Sequence, residues 1–133
     1  MSDGDVMDDG IGVLICDDVS AIRELLGEIV RLRTGLWVVG EARDGDEAIS
    51  QAERLQPDVV LLDLSMPRRT GFDALPEIKR VAPKAKVIIL SGLCSSIFGP
   101  DALAHGADHY MEKGADPDTI AATIEQIASG ARV

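Results

Sequence analysis

The clearest indication of the fold is the stretch Pro57-Asp58-Val59-Val60-Leu61-Leu62-Asp63-Leu64-Ser65-Met66-Pro67, residues 57–67. Its central residues, Val59 to Leu62, form an unbroken apolar run, which is typical of a strand covered on both faces. Such strands belong to parallel sheets that lie between layers of helices. A carboxylate that ends a fully apolar strand is costly without a partner. Asp63 is therefore a candidate functional residue.

Four further short apolar runs resemble this one, and segments with helical spacing lie between them. The other predicted strands are 12–16, 36–40, 87–90 and 109–111. Three apolar helix stripes consist of Ala21, Ile22, Leu25, Leu26, Ile29 and Val30, then Ala48, Ile49, Ala52 and Leu55, then Ile120, Ile124 and Ile127. Alternating strands and helices imply right-handed parallel crossovers. The sequence predicts one α/β domain over residues 11–129 with a single five-stranded, doubly wound sheet.

Prolines mark the helices that are hardest to predict. Asp116-Pro117 supplies an N-cap followed by a proline at the first helical position, so the last helix should begin there. Pro76 should either lie in the first turn of its helix or bend it. Gly99-Pro100 interrupts the segment between the fourth and fifth strands. We therefore expect a short, irregular fourth helix that begins near Asp101 and follows a long loop over residues 92–99.

Composition limits the classes of function. The 133 residues carry a formal charge of −10, which opposes binding of nucleic acid by this chain alone. No apolar run approaches the roughly 20 residues that cross a bilayer. Residues 1–10 form an acidic tail without the features of a secretory signal, and residues 130–133 a C-terminal tail or the start of a linker. Cys16 and Cys94 are expected to be free thiols, and the protein to be cytoplasmic.

Chemically useful side chains follow the predicted strands. Asp17 and Asp18 end the first, Asp63 the third and Ser91 the fourth, and Lys113 follows the fifth. Ligand sites of open parallel sheets form at the carboxyl ends of the strands, so these side chains should meet there. Three crowded carboxylates repel one another unless a cation lies among them, and oxygen ligands suit Mg²⁺. The pattern predicts a magnesium-assisted phosphoryl transfer with Asp63 as the nucleophile.

The ordered set of motifs resembles bacterial two-component response regulator receiver domains. It comprises Asp17-Asp18, the run 63–67 with Gly71, Ser91-Gly92, and Gly106-Ala107-Asp108 leading to Tyr110 and Lys113. The resemblance covers residues 11–128 and is strongest to the NarL and FixJ type, through residues 38–42 and 57–63. It implies the flavodoxin-like (CheY-like) fold with strand order 2-1-3-4-5.

The resemblance also implies a role for each site residue. Asp63 is the phosphoacceptor; Asp18, Asp63 and the Ser65 carbonyl bind Mg²⁺; and Asp17 assists through water. Ser91 and Lys113 contact the phosphoryl group, and Ser91 and Tyr110 are the switch residues. The implied partners are a sensor histidine kinase or phosphotransfer protein and a second copy that pairs through the fourth helix, fifth strand and fifth helix. Receivers commonly have a proline, often cis, after the lysine; here Gly114 favours a trans bond.

Other functions remain open at this stage. A metal-dependent phosphohydrolase of the haloacid-dehalogenase type has a second aspartate where this chain has Ser65. A flavodoxin needs donors where Asp17 and Asp18 stand. A pseudo-receiver would bind a partner without phosphorylation, and the unusual fourth helix gives that alternative some support. A fragment of a longer transcription regulator is the remaining alternative. His105 and His109 are interpreted as surface or cap residues.

Overall fold

The computed structural model describes residues 10–130 and contains five strands and five helices that alternate along the chain. The strands are β1 (Ile11–Cys16), β2 (Leu36–Ala42), β3 (Val59–Leu62), β4 (Lys86–Ser91) and β5 (His109–Glu112). The helices are α1 (Ser20–Arg31), α2 (Gly45–Leu55), α3 (Gly71–Val81), α4 (Ser95–Ala104) and α5 (Pro117–Ala128). Of the predicted tails, residues 1–10 and 130–133, the stretches 1–9 and 131–133 lie outside the described residues.

All strand pairs are parallel, and the sheet has the order β2-β1-β3-β4-β5. This confirms the predicted doubly wound, flavodoxin-like sheet. The register places Cys16 of β1 beside Leu62 of β3, and Ser91 of β4 beside Glu112 of β5. Consequently, the residues that directly follow β1, β3 and β5 emerge at the same end of the sheet.

Successive residues of the central strands face opposite layers of helices, as the two-residue period of a strand requires. Val13 and Ile15 of β1 pack with α1 and α5, whereas Leu14 and Cys16 pack with α2 and α3. Both faces of the sheet are therefore covered by helices, which explains why β1 and β3 are apolar without a break. Among residues 10–130, no helix is long and apolar enough to cross a membrane.

Short side chains cap three of the helices. Asp44, Thr70 and Asp116 accept hydrogen bonds from the backbone N–H groups of Glu47, Asp73 and Thr119. Such caps satisfy N–H groups that have no partner within the helix. The predicted start of the last helix at Asp116-Pro117 is confirmed.

The predicted start of the fourth helix near Asp101 is wrong, because α4 begins at Ser95 and continues through Gly99 and Pro100. Segment 92–99 is therefore not one long loop. A proline inside a helix removes one backbone donor and its ring crowds the carbonyl four residues earlier, so α4 continues through Pro100 at a cost. A side chain from β5 provides an acceptor for the first backbone N–H group of α4. Glu112 Oε2 accepts from the Ser95 N–H at 2.9 Å and from the Ser95 hydroxyl at 2.8 Å.

Two further helix predictions can be compared with the structure. Pro76 lies inside α3, beyond its first turn, so the predicted bend of the helix is the alternative that stays a prediction. The predicted stripe of α1 is too wide, because Leu25 is 53% exposed while Leu26, Ile29 and Val30 are buried. A helix that packs on one side of a sheet buries only a narrow stripe, and Leu25 lies outside it.

The loop after β5 has a conformation that suits glycine. Gly114 has a φ of +105°, a value that the ring of proline cannot adopt. The peptide bonds of residues 10–130 are trans, including the bond between Lys113 and Gly114. The expected trans bond is confirmed.

Candidate phosphoacceptor and metal site

The predicted carboxylates come together at the carboxyl end of the sheet. Asp17, Asp18 and Asp63 each offer a carboxylate oxygen, and these atoms lie within 4.8 Å of one another. Asp17 and Asp63 are buried, with 1% and 3% exposure, whereas Asp18 is exposed. The two buried acids directly follow β1 and β3, which are neighbours in the sheet.

Backbone hydrogen bonds hold both buried aspartates in place. The Asp17 N–H donates to the Ala42 carbonyl at 3.0 Å, and the Asp63 N–H donates to the Cys16 carbonyl at 3.0 Å. Each carboxylate also accepts from the N–H group two residues later, from Val19 at 2.9 Å and from Ser65 at 3.3 Å. The acids are therefore positioned by the sheet itself before any ligand arrives.

Close packing behind Asp63 explains the nearby glycine. A Cβ on Gly71 would overlap the Asp63 carbonyl oxygen and lie 2.7 Å from the Leu64 Cα. The Gly71 N–H donates to the Leu64 carbonyl at 3.1 Å. Only glycine allows α3 to begin this close to the end of β3.

Lys113 provides the positive charge of the cluster. Its Nζ lies 2.7 Å from Asp17 Oδ2 and 3.5 Å from Asp63 Oδ2. Its backbone N–H donates to the Ser91 carbonyl at 2.7 Å, which extends the β4–β5 pairing to the site. The ammonium group therefore bridges the two buried carboxylates.

The electrostatics of the cluster favour an additional cation. Burial and the neighbouring Asp17 carboxylate raise the pKa of Asp63, although Lys113 and the Ser65 N–H oppose that shift. Burial lowers the pKa of Lys113, but the hydrogen bond to Asp17 and the charges of both aspartates outweigh it and leave the pKa raised. The cluster has three carboxylates, and the Lys113 ammonium group contacts two of them. This acidic Asp cluster can hold a metal ion, and its all-oxygen donors suit a hard one.

Ser91 ends β4, the strand next to β3, and Tyr110 lies on β5, the following strand of the sheet. Ser91 is fully buried at the end of β4, and its Oγ accepts a hydrogen bond from the Leu93 N–H at 3.1 Å. The Tyr110 hydroxyl donates to the Leu93 carbonyl at 3.0 Å, and burial raises its pKa. Gly99 of α4 faces the Tyr110 ring. The structure thus links Tyr110 to the loop after Ser91 and to α4, not to the carboxylates directly.

Two polar residues of this region were not singled out from the sequence. Arg23 of α1 donates to the Asp17 carbonyl and to Glu41 of β2. Glu112 caps α4 and precedes Lys113. The contact between Arg23 and Glu41 joins residues 18 positions apart, and that between Glu112 and Ser95 joins residues 17 positions apart. A sequence pattern signals neither role.

The thiols and one histidine have the expected roles. Cys16 and Cys94 are free, the first buried in β1 and the second exposed directly before α4. Burial raises the pKa of Cys16, whereas a hydrogen bond with the Ser96 hydroxyl lowers that of Cys94. The ring Nδ1 of His105 lies 2.6 Å from the Asp101 carbonyl oxygen at the end of α4, as expected for a cap residue.

Comparison with known proteins agrees with this geometry. The sequence model of a protein family, the response regulator receiver domain, matches residues 13–125 of this chain. The transcriptional regulatory protein LnrK of Bacillus subtilis is 36% identical over 92% of this chain and 56% of its own length. The chemotaxis protein CheY of Thermotoga maritima is 33% identical over 90% of this chain and 98% of its own.

The fold comparison points to the same group. The receiver domain of the response regulator NarL from Mycobacterium tuberculosis superposes with a TM-score of 0.87 at 27% identity, over 92% of this chain and 98% of that one. This chain thus spans little more than half the length of LnrK but nearly all of CheY and of the isolated NarL receiver domain. The chain belongs to the response regulator receiver domains of two-component systems, with NarL-type proteins among its close relatives.

Proposed function

We propose that Asp63 is the phosphoacceptor of this receiver domain. The observation that carries the proposal is a buried carboxylate at the end of an apolar strand, next to the Asp17 carboxylate and 3.5 Å from the Lys113 ammonium group. Burial of an acid without full compensation is expected at a functional site. The phosphoryl donor is the phosphohistidine of a sensor histidine kinase or a phosphotransfer protein.

The chemistry is a transfer between two amino-acid side chains. An Asp63 carboxylate oxygen attacks phosphorus, the bond between phosphorus and the histidine nitrogen breaks, and the imidazole leaves with that electron pair. The product is an acyl phosphate, which water later hydrolyses to phosphate and the free carboxylate. The protein therefore acts as a signalling switch that catalyses its own phosphorylation and dephosphorylation.

The side chains around Asp63 take separate parts in this reaction. Lys113 and the Ser91 hydroxyl hold phosphoryl oxygens, since the charge that develops on them needs donors or cations. Ser91 and Tyr110 change their contacts when Asp63 is phosphorylated, and this alters the position of α4, against which the Tyr110 ring lies. The donor set fits Mg²⁺, with Asp18, Asp63 and the Ser65 carbonyl as ligands and Asp17 acting through water. When bound, Mg²⁺ neutralises the negative charge of the transferred group.

The proposed partner of the phosphorylated form is a second copy of this chain. Pairing of two copies through α4, β5 and α5 is supported by Ile97 and Leu103 of α4, which are 67% and 50% exposed. The charge of −10 opposes direct binding of this chain to nucleic acid. Function inside a longer transcription regulator and cytoplasmic residence belong to the proposal as well.

Intact mass spectrometry tests the acceptor. The chain is incubated with Mg²⁺ and either acetyl phosphate or phosphoramidate, and we expect one labile phosphoryl addition. The addition should be lost in Asp63→Asn and kept in Asp58→Asn. Asp58 is a matched control because its Oδ2 accepts from the Gly12 N–H at 2.8 Å, at the opposite end of the sheet.

One outcome would replace the proposal by the pseudo-receiver. If the folded native chain gains no phosphoryl group with either donor, it binds its partner without phosphorylation. The fourth helix is formed from Ser95 onward and therefore gives the pseudo-receiver less support than a helix that begins near Asp101.

A further inference from the structure

Arg23 lies near the start of α1 and reaches back to the loop that carries Asp17 and Asp18. Its Nη1 donates to the Asp17 carbonyl oxygen at 2.7 Å. Its Nε donates to Glu41 Oε1 at 3.0 Å, and the arginine side chain is only 14% exposed. The guanidinium group is thus held between the end of β1 and β2.

The contact with the Asp17 carbonyl matters most for Asp18. The carbonyl of Asp17 and the N–H of Asp18 belong to one planar peptide group, so a hydrogen bond to that carbonyl orients the whole plane. Asp17 itself is already held, because its two carboxylate oxygens accept from the Val19 N–H and contact the Lys113 Nζ. Asp18 is attached to this peptide plane, so the plane sets the position from which its exposed carboxylate reaches the cluster.

We infer that Arg23 is a positioning residue for the metal site: its bond to the Asp17 carbonyl sets the direction of the Asp18 carboxylate and thereby the selectivity of the cluster for Mg²⁺. The inference rests on the proposed function, in which Asp18 and Asp63 are metal ligands. Mg²⁺ requires nearly ideal octahedral geometry, whereas Ca²⁺ accepts flexible coordination. A displaced Asp18 should therefore weaken Mg²⁺ more than Ca²⁺.

The sign of the effect separates positioning from charge. Arg23 carries a positive charge near an acidic cluster, so the loss of that charge alone would tighten the binding of any cation. The loss of the hydrogen bond to the Asp17 carbonyl would instead weaken binding. Outer residues that orient metal ligands typically contribute about 10-fold to 100-fold in affinity.

The experiment measures Mg²⁺ and Ca²⁺ binding to the whole, unphosphorylated chain by isothermal titration calorimetry. Arg23→Met keeps much of the apolar stem but removes the donors. We expect its Mg²⁺ affinity to fall about 10-fold and its Ca²⁺ affinity only about 2-fold. Arg31→Met is the matched control, because Arg31 lies in the same helix with a 56% exposed side chain and pairs with Glu28. Its affinities should match those of the native chain.

A second variant keeps the inference testable if Arg23→Met does not fold, which circular dichroism shows. Arg23→Lys keeps the charge but loses the planar fork that joins Asp17 to Glu41, and we expect a Mg²⁺ loss of about 3-fold or more. Native-like Mg²⁺ binding in Arg23→Lys, tighter binding in Arg23→Met, or equal losses for the two ions would overturn the inference. Failure of the native chain to bind Mg²⁺ at all would instead overturn the proposed metal site.

Discussion

The sheet carries a lysine–aspartate pair at each end, and the two pairs differ in their surroundings. At the amino end, Lys79 Nζ lies 3.1 Å from Asp108 Oδ2, with side chains 26% and 27% exposed. At the carboxyl end, Lys113 Nζ lies 2.7 Å from Asp17 Oδ2, with side chains 27% and 2% exposed. Because the two lysines are almost equally exposed, the difference lies in the exposure of the carboxylates.

Asp108 has its hydrogen-bonding needs met within the fold. Its Oδ2 accepts from the Val87 N–H at 2.8 Å as well as from Lys79, which also donates to the Ala85 carbonyl at 2.9 Å. At the other end, Lys113 is shared between Asp17 and Asp63. An aspartate beside a strand is thus structural where backbone and cation satisfy it. It is a candidate for function where carboxylates outnumber cations.

The largest effect is expected at the structural pair. Asp108→Ala leaves the Val87 N–H and the Lys79 ammonium group without this acceptor, and hydrogen bonds to charged groups contribute about 1.5–3 kcal/mol. We expect unfolding by urea to require about 2 kcal/mol less free energy. Asp101→Ala, at an exposed position of α4, should change it by less than about 0.5 kcal/mol. Equal losses in the two variants would show that Asp108 does not hold this end of the sheet.

Mg²⁺ should stabilise the folded chain by binding at the carboxyl end of the sheet and not at the amino end. A ligand that binds only the folded state at ten times its dissociation constant adds about 1.4 kcal/mol to the free energy of unfolding. We expect this increment in the native chain and in Asp108→Ala, and its loss in Asp18→Asn. Thermal unfolding with and without MgCl₂ at constant ionic strength measures it. An equal increment in Asp18→Asn would place the ion elsewhere.

The smallest effect concerns Asp63 in the absence of metal. Burial raises the pKa of Asp63 in the folded chain above its ordinary value of 3.8, so the folded state favours the protonated acid. The resulting stabilisation is complete at pH values below 3.8 and is lost as the pH rises through the raised pKa. Asp63→Asn should therefore stabilise the chain at pH 7 and be neutral near pH 3. We expect the free energy of unfolding to rise by an amount on the order of 1 kcal/mol. Two bare charges about 4 Å apart repel each other by about 4 kcal/mol, and Lys113 already offsets part of that repulsion between Asp17 and Asp63.

Urea unfolding across this pH range checks that prediction. The matched variant is Asp58→Asn, whose carboxylate accepts from the Gly12 N–H, and it should not gain stability at pH 7. If Asp63→Asn destabilises the chain at neutral pH, Lys113 compensates both buried acids fully and the contrast between the two ends disappears.

Much of the architecture could be predicted because the determining signals are local. Unbroken apolar strands indicated a covered parallel sheet, and Asp63 and the Asp17-Asp18 pair stand directly after such strands. Strand order then followed from the resemblance of the whole set of motifs. The acidic cluster lies where it was predicted, because the pairing of β1 with β3 is enough to bring its members together.

The errors arose where distant residues decide the local structure. Gly99 and Pro100 are helix breakers by propensity, yet α4 is held at its start by Glu112 and against the Tyr110 ring at Gly99. Tertiary contacts override propensity in such cases. Leu25 follows the apolar spacing of α1 but lies beside the buried stripe, and spacing alone does not define how wide that stripe is.

The two cysteines make the native chain suitable for single-site labelling. A thiolate, not a thiol, attacks alkylating reagents, so a raised pKa and burial protect Cys16 while exposure and a lowered pKa favour Cys94. A maleimide dye will therefore report from the residue that directly precedes α4, without any engineered position. Changes at that helix become visible as fluorescence in the unmodified sequence.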